Sequence, residues 1–365
     1  MNRHTLRAAT AALTLTAAAM AQPLSIQTVL VGNPGNAADP LNSGSVPGIG
    51  SVGYEYHIGK YEVTNTQYVA FLNAVAATDP FGLYNPYMSN HPSDNAYSGG
   101  ITRSGSSGSY TYSVKAGYEN KPVVWVSYWD AARFANWLGT GYTEGRATPG
   151  GALLPGAAYD LNFATNPSFS RGDRLSGAKV FLPSENEWYK AAYHQPSAAG
   201  GDSDNYWLYA TGSNTQPTSA TPGPGVDRAN YYYDDSVANG INGGYAVTQS
   251  TSYNSAQNYL TDVGVYGSGS ESHYGTADQN GNVWEWNDSV VLGFRGVLGG
   301  SWIDNEFLLR SSIRYFAEPE FESYFGGFRV ASLAPIPEPG TYGAVAGVLA
   351  LAGALCRRRF GRGTL

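Results

Sequence analysis

The stretch running from Asp278 to Asn287, DQNGNVWEWN, decides the fold. Read as a strand over 282–286, it alternates sides, so Asn282, Trp284 and Trp286 point one way and Val283 and Glu285 the other. A carboxylate between two tryptophans is set for burial, and a buried charge needs a pair or a metal. Asp278 lies just upstream, and Gly281 permits a tight approach of the chain. Two carboxylates with main-chain carbonyls make a hard oxygen cage suited to calcium. The alternative for Glu285 is a buried ion pair with an arginine.

The composition around this stretch is that of an exported, loop-rich fold. Of 365 residues 42% are hydrophobic, enough for a core, while only 13% are charged and Gly (46) and Tyr (28) are abundant. Residues 1–21 carry Arg3 and Arg7, then an apolar run ending in Ala19-Met20-Ala21, and predict a secretory signal peptide. At the other end, Thr341 to Leu355 is apolar and uncharged, shorter than the about 20 residues of a spanning helix. Arg357, Arg358 and Arg359 follow and would hold that end at the cytoplasmic face. Pro337-Glu338-Pro339, an apolar run and an arginine cluster, in that order within 335–365, resemble a PEP-CTERM sorting tail. That resemblance implies transient membrane anchoring by a C-terminal helix, cleavage by an exosortase-type enzyme, and a Gram-negative host. The expected path is export, an inner-membrane intermediate, then the cell surface or extracellular matrix. The alternative is a plain C-terminal anchor.

Setting aside Arg3, Arg7, Arg357, Arg358, Arg359 and Arg362 leaves 15 of the 21 basic residues against 28 acidic ones, a net charge near −13. A nucleic-acid partner is disfavoured, because phosphate binding needs a basic surface. The single cysteine, Cys356, lies in the tail, so the processed chain would have neither thiol nor disulfide. It must hold together by packing, helped by metal.

One domain is expected over 24–333, with no internal repeat. Three helices are predicted. Thr64 or Asn65 caps the first, with Tyr68, Phe71, Leu72 and Val75 on one face. Ser127 and Asp130 form a capping box for the second, with Gly139 at its C-terminus. Ser184 and Glu187 form a capping box for the third. Residues 78–118 and 196–275 read as long loops with short strands. Further strands are expected at 123–126, 179–182, 283–287, 296–302 and 327–332.

Six segments occur in a telling order: GKYEVTNTQYVAFLNA, KPVVWVSYWDAARFANWL, FLPSENEWYKAA, DQNGNVWEWN, LGGSW and GGFRVAS. From about 52 to 332 the chain resembles the formylglycine-generating enzyme, or sulfatase-modifying factor, family. The implied fold is an α+β variant of the C-type lectin fold, with few helices, small twisted sheets and much irregular loop. The resemblance implies a calcium site with side chains at Asp278 and Glu285 and carbonyls at Gly281 and Val283. A second would begin at Asn230-Tyr231, but 233–250 departs from the pattern and leaves its other ligands unassigned.

The family's oxidases bind copper through two cysteines after Gly-Gly-Ser-aromatic, and two thiolates suit Cu(I). Those positions fall on Asp304 and Leu309, which cannot make such a site. Copper-thiolate conversion of a sulfatase cysteine is therefore not expected, and no copper is expected either. The histidines His57, His91, His194 and His273 are scattered and predict no metal site. Asp304 and Glu306 read as solvated loop carboxylates, and Ser301 has no identifiable base. Ser301, Trp302, Asp304, Arg310 and Arg314 are the expected ligand-binding residues, although salt bridges are as well founded for the arginines. Arg329 reads as structural.

Two functions follow from these residues. One is a non-catalytic, calcium-stabilised binding protein for a carbohydrate or protein, such as an exopolysaccharide or a surface protein, with tyrosines in 78–118 and 231–260 as stacking surfaces. The other is a superfamily enzyme with altered, oxidative, metal-dependent chemistry. Binding is the preferred reading.

Overall fold

The computed structural model describes residues 24–41, 48–161 and 173–336. From Ile26 onward they form one compact unit. The predicted signal peptide, and the predicted sorting tail beyond residue 336, lie outside the described residues. Among the described residues no helix is long and apolar enough to cross a membrane.

The three predicted helices are present, each started by the residue the sequence nominates. Helix α1 spans Asn65–Val75, capped by Thr64, whose side chain accepts from Gln67 N. Tyr68, Phe71 and Leu72 are buried, and Val75 half-buried. Helix α2 spans Tyr128–Thr140 with the Ser127–Asp130 capping box. It ends one turn fraction later than expected, on Gly141 at φ +79°. Gly139 is glycine for another reason: a Cβ there would lie 2.7 Å from Gly156 O. Helix α3 spans Glu185–Tyr193, with Ser184 and Glu187 closing its box.

Two four-stranded sheets frame the molecule. The first has the order β1 (Thr28–Val31), β2 (Tyr56–Gly59), β14 (Ala331–Ser332), β5 (Val180–Phe181), all antiparallel. The second has the order β12 (Tyr315–Ala317), β11 (Phe294–Leu298), β10 (Trp284–Val291), β13 (Gly326–Phe328). Within it β10 and β13 run parallel, pairing Glu285 with Gly327. Three two-stranded ribbons lie in the predicted long loops: β3 (Ile101–Ser104) with β4 (Thr111–Val114), β6 (Thr218–Ser219) with β7 (Arg228–Ala229), and β8 (Tyr232–Asp234) with β9 (Gly243–Tyr245). The core gathers Tyr68, Phe71, Phe134, Trp129, Trp286 and Phe328 between the helices and the sheets.

Three predicted strands differ. Residues 123–126 join no ladder, because Trp125 turns the chain at φ +62°; Val123 N donates to Val63 O (2.9 Å) and Trp125 N to Ser323 O (2.8 Å). The strand expected over 296–302 stops at Leu298, because Gly299 and Gly300 turn with φ +103° and +74°. The strand expected over 327–332 is two short strands in different sheets, β13 and β14. With three helices, small sheets and much loop, the chain has an α+β fold.

Candidate functional site

The site is built by the turn that follows β11. A Cβ at Gly300 would meet Leu309 Cδ1 at 2.8 Å and Leu308 O at 3.2 Å, so only glycine lets the chain fold back there. Trp302 N donates to Asn282 O (3.0 Å), tying the turn to the entry of β10. Asp304 N donates to Ser301 O (3.1 Å). A single 3-10 turn, Glu306–Leu309, follows, with the Asn305 side chain accepting from Phe307 N.

This arrangement turns Asp304 inward. Its Oδ2 accepts from Ser301 Oγ (2.6 Å) and Trp284 Nε1 (2.7 Å). Burial pushes its carboxyl up from the usual aspartate range, and the two hydrogen bonds oppose that shift. Asp304 is thus not the solvated carboxylate expected from sequence, and Ser301, expected to lack a base, donates to it. Beside them opens a cavity of about 290 Å³. Its walls are Trp284 and Trp286 from β10, Val297 from β11, Tyr315, Phe316 and Ala317 of β12, and Phe321 and Phe325 from the loop before β13. Asp304, Leu308, Val126, Ser323 and Gly326 complete the lining.

The two positions matched to copper cysteines sit in different surroundings. Asp304 lines the cavity, whereas Leu309 is fully buried in a cluster with Tyr209, Ala229 and Tyr231. Other expected ligand-binding residues point elsewhere. Trp302 is 1% exposed, and its ring stacks on Tyr259 with centroids 4.9 Å apart. Arg314 is ion-paired with Glu185. Arg310 donates to Tyr209 Oη (3.2 Å) and lies 3.9 Å from Glu306. Of the five residues named from sequence, only Asp304 lines the cavity; Ser301 is buried behind it as its hydrogen-bond donor, and Trp302, Arg310 and Arg314 also lie outside the lining.

A second cluster of charge surrounds DQNGNVWEW. Glu285 and Arg329 are both 0% exposed and doubly bonded, Nε to Oε2 and Nη2 to Oε1, each at 2.6 Å. Trp188 Nε1 donates to the same Oε2 (2.8 Å). The arginine also donates to the carbonyls of Gly59, Lys60 and Ala277. The ion pair that sequence offered as the alternative for Glu285 is therefore present, and Arg329 is structural. Asp278 accepts from Gly264 N through Oδ2 (2.5 Å), and burial pushes its carboxyl up to about 6. Glu62 was not foreseen. Its Oε1 accepts from Asn282 Nδ2 (3.0 Å), and its Oε2 has no partner among the described residues. Burial first, then Asp278 and Glu285, hold it well above the usual range.

Three buried carboxylates thus face one guanidinium. The calcium set expected from sequence comprises the carboxylates of Asp278 and Glu285 and the carbonyls of Gly281 and Val283. Glu285 would enter that set only as a ligand shared with Arg329, which already holds both its oxygens. At the second expected site, the Asn230 amide nitrogen donates to Tyr259 O (2.9 Å) and Asn282 Oδ1 (3.1 Å). The Tyr231 hydroxyl donates to Pro217 O. Both residues are buried structural ties here. Among the described residues no three or more His, Cys, Asp or Glu side chains are placed to hold a metal. His194, for example, shares a hydrogen bond with Tyr274 Oη (2.7 Å), and burial pushes its ring down to about 4.

The aromatic wall from β12 to β13 was missed from sequence. Its signal was available in YFAEPEFESYFGGF, residues 315–328, where eight of fourteen positions are aromatic or glycine, a few residues after the turn. The fold and the glycine-closed turn define a C-type-lectin-like scaffold with a loop-built cavity. The sulfatase-modifying factor enzyme 1-like domain family matches residues 50–334, and the chain belongs to that family. Similar solved structures include CarF, at 20% identity and TM-score 0.49, covering 85% of this chain and 99% of its own. Treponema denticola variable protein 1 shows 15% identity and TM-score 0.44, covering 86% and 99%. PvdO from Pseudomonas aeruginosa shows 16% identity and TM-score 0.42, covering 84% and 92%. Comparison with curated protein sequences gives no match.

Proposed function

We propose that this family member is an exported, surface-sorted binding protein, stabilised by calcium, and that its ligand is a protein segment seated in the cavity beside Asp304. One observation carries the reading. At the positions matched to the two copper cysteines stand a carboxylate bonded to Ser301 and Trp284 and a leucine sealed in a separate cluster. Neither side chain is a soft ligand for Cu(I). The cavity that opens there is walled by aromatic rings, which suits an apolar stem of a side chain better than a polyhydroxylated sugar. A carbohydrate ligand would instead use exposed rings such as Tyr87 and Tyr253 on the loops.

The stabilising role proposed for calcium rests on the charge excess of Glu62, Asp278 and Glu285 over Arg329. Export and sorting rest on the terminal sequences alone. The test of binding is a screen of the purified chain against a displayed peptide library and a glycan array, repeated with Asp304→Leu. Retention of peptides that the variant no longer retains is the expected result. Retention of glycans alone, unaffected by the variant, would contradict the choice of ligand. Oxygen uptake with a cysteine peptide would favour the enzymatic alternative.

A further inference from the structure

Asp304 is a half-buried carboxylate without a cation. Its hydrogen bonds come from a hydroxyl and an indole, and no basic group acts on it among the described residues. Charges withdrawn from water are ordinarily paired. The nearby arginines are engaged away from it, Arg310 with Tyr209 and Glu306, Arg314 with Glu185. Among the cavity's lining residues there is no Lys, Arg or His, and Asp304 is the only carboxylate. The cavity therefore offers one negative charge and nothing to neutralise it.

Its walls add a second preference for cations. Trp284, Trp286, Tyr315, Phe316, Phe321 and Phe325 surround the space. Aromatic faces attract ammonium groups, most strongly where water is excluded. Trp284 and Tyr315 meet at 62° with centroids 5.2 Å apart, so they form two walls rather than a closed stack. Tyr315 and Phe321 are 50% and 48% exposed, which leaves a mouth that a chain-borne side chain can enter. At about 290 Å³ the space is at the small end for a ligand site and suits one side chain. An anionic group would meet Asp304 with no compensating cation. A sugar would leave its hydroxyls against rings.

We propose that the cavity takes an alkylammonium group, the side chain of a lysine in a protein ligand, with Asp304 as counter-ion and the aromatic rings around its stem. This rests on the binding reading above and names the chemistry of what is bound.

The test uses the full chain in detergent and the tryptophan fluorescence of Trp284 and Trp286. The probes are N-acetyl-lysine methylamide, its trimethylated form, the neutral norleucine analogue and choline. The lysine probes should bind at least about tenfold tighter than norleucine. Asp304→Asn, which keeps an oxygen for Ser301 and Trp284, should abolish that difference while norleucine binding is unchanged. Equal binding of lysine and norleucine, or no effect of Asp304→Asn, would overturn the ammonium inference and leave the cavity as an apolar peptide site. Choline binding tighter than either lysine probe would overturn the protein-borne source. Failure of every probe would overturn this inference, and the peptide and glycan screen would decide the binding reading separately.

Discussion

Breaking the Glu285–Arg329 pair from its two sides should give unequal damage. Among the described residues, Arg329→Met removes the only cation facing Glu62, Asp278 and Glu285. Stranding a buried charge in this way costs about 3–5 kcal/mol. The carbonyls of Gly59 and Ala277 also lose the donor that Arg329 gives them, adding about 1 kcal/mol or more each, while Lys60 O keeps Ala277 N. The sum reaches much of the about 5–15 kcal/mol that holds a domain folded. Glu285→Gln is milder. The amide oxygen still accepts from the guanidinium, and Glu62 and Asp278 still balance its charge, so about 1–3 kcal/mol is expected. Urea unfolding followed by tryptophan fluorescence at fixed calcium measures both.

The pH dependence gives a second check on the same pair of variants. Glu62 and Asp278 have folded values above their unfolded ones, Asp278 at about 6. Their favourable contribution is full below the unfolded value and is lost as pH rises through the folded value. Without Arg329 they are raised further, so the deficit of Arg329→Met should shrink as pH falls from about 7 toward 5. A Glu285→Gln variant as damaged as Arg329→Met, or a deficit that does not change with pH, would refute this account of the cluster.

Three further outcomes are expected. Gly300→Ala, with φ +74° and a contact of 2.8 Å to Leu309, should lower stability by about 1–3 kcal/mol in the same unfolding assay. Glu322 is pushed up to about 8 by burial and by Asp130 and Asp79, so stability should fall as pH rises toward 8. Glu322→Gln keeps an acceptor for Asn85 and should raise Tm at pH about 8.5 relative to the parent, with no gain at pH about 5. Removing calcium with a chelator should lower Tm by about 5 °C or more if the ion is present at about 100 times its Kd, as scanning calorimetry would show.

What the sequence disclosed was local. Thr64, Ser127 and Ser184 announced their helices because a cap is chemistry within four residues. Gly139 misled because its reason is long-range, the carbonyl of Gly156 against the helix. The segment 123–126 has strand composition, yet its amides are claimed by Val63 and Ser323, which no periodicity reveals. The same limit governs the site. Asp304 and Ser301 are three residues apart, and the turn that joins them is marked by two glycines. Glu285 and Arg329 are separated by 44 residues and meet only because β10 and β13 run side by side. Glu62 lies 220 residues from its partner Asn282. The aromatic residues of 315–325 were visible as a run, but irregular backbone hid which of them face one cavity.

Oxygen consumption in the presence of Cu(I) and a cysteine-containing peptide tests the central claim most directly. The purified chain, titrated anaerobically with Cu(I) against a competing chelator and then exposed to oxygen, should hold no stoichiometric copper and show no turnover. One tightly held copper per chain, with peptide-dependent oxygen uptake that Asp304→Leu abolishes, would contradict a binding cavity in place of an oxidase centre.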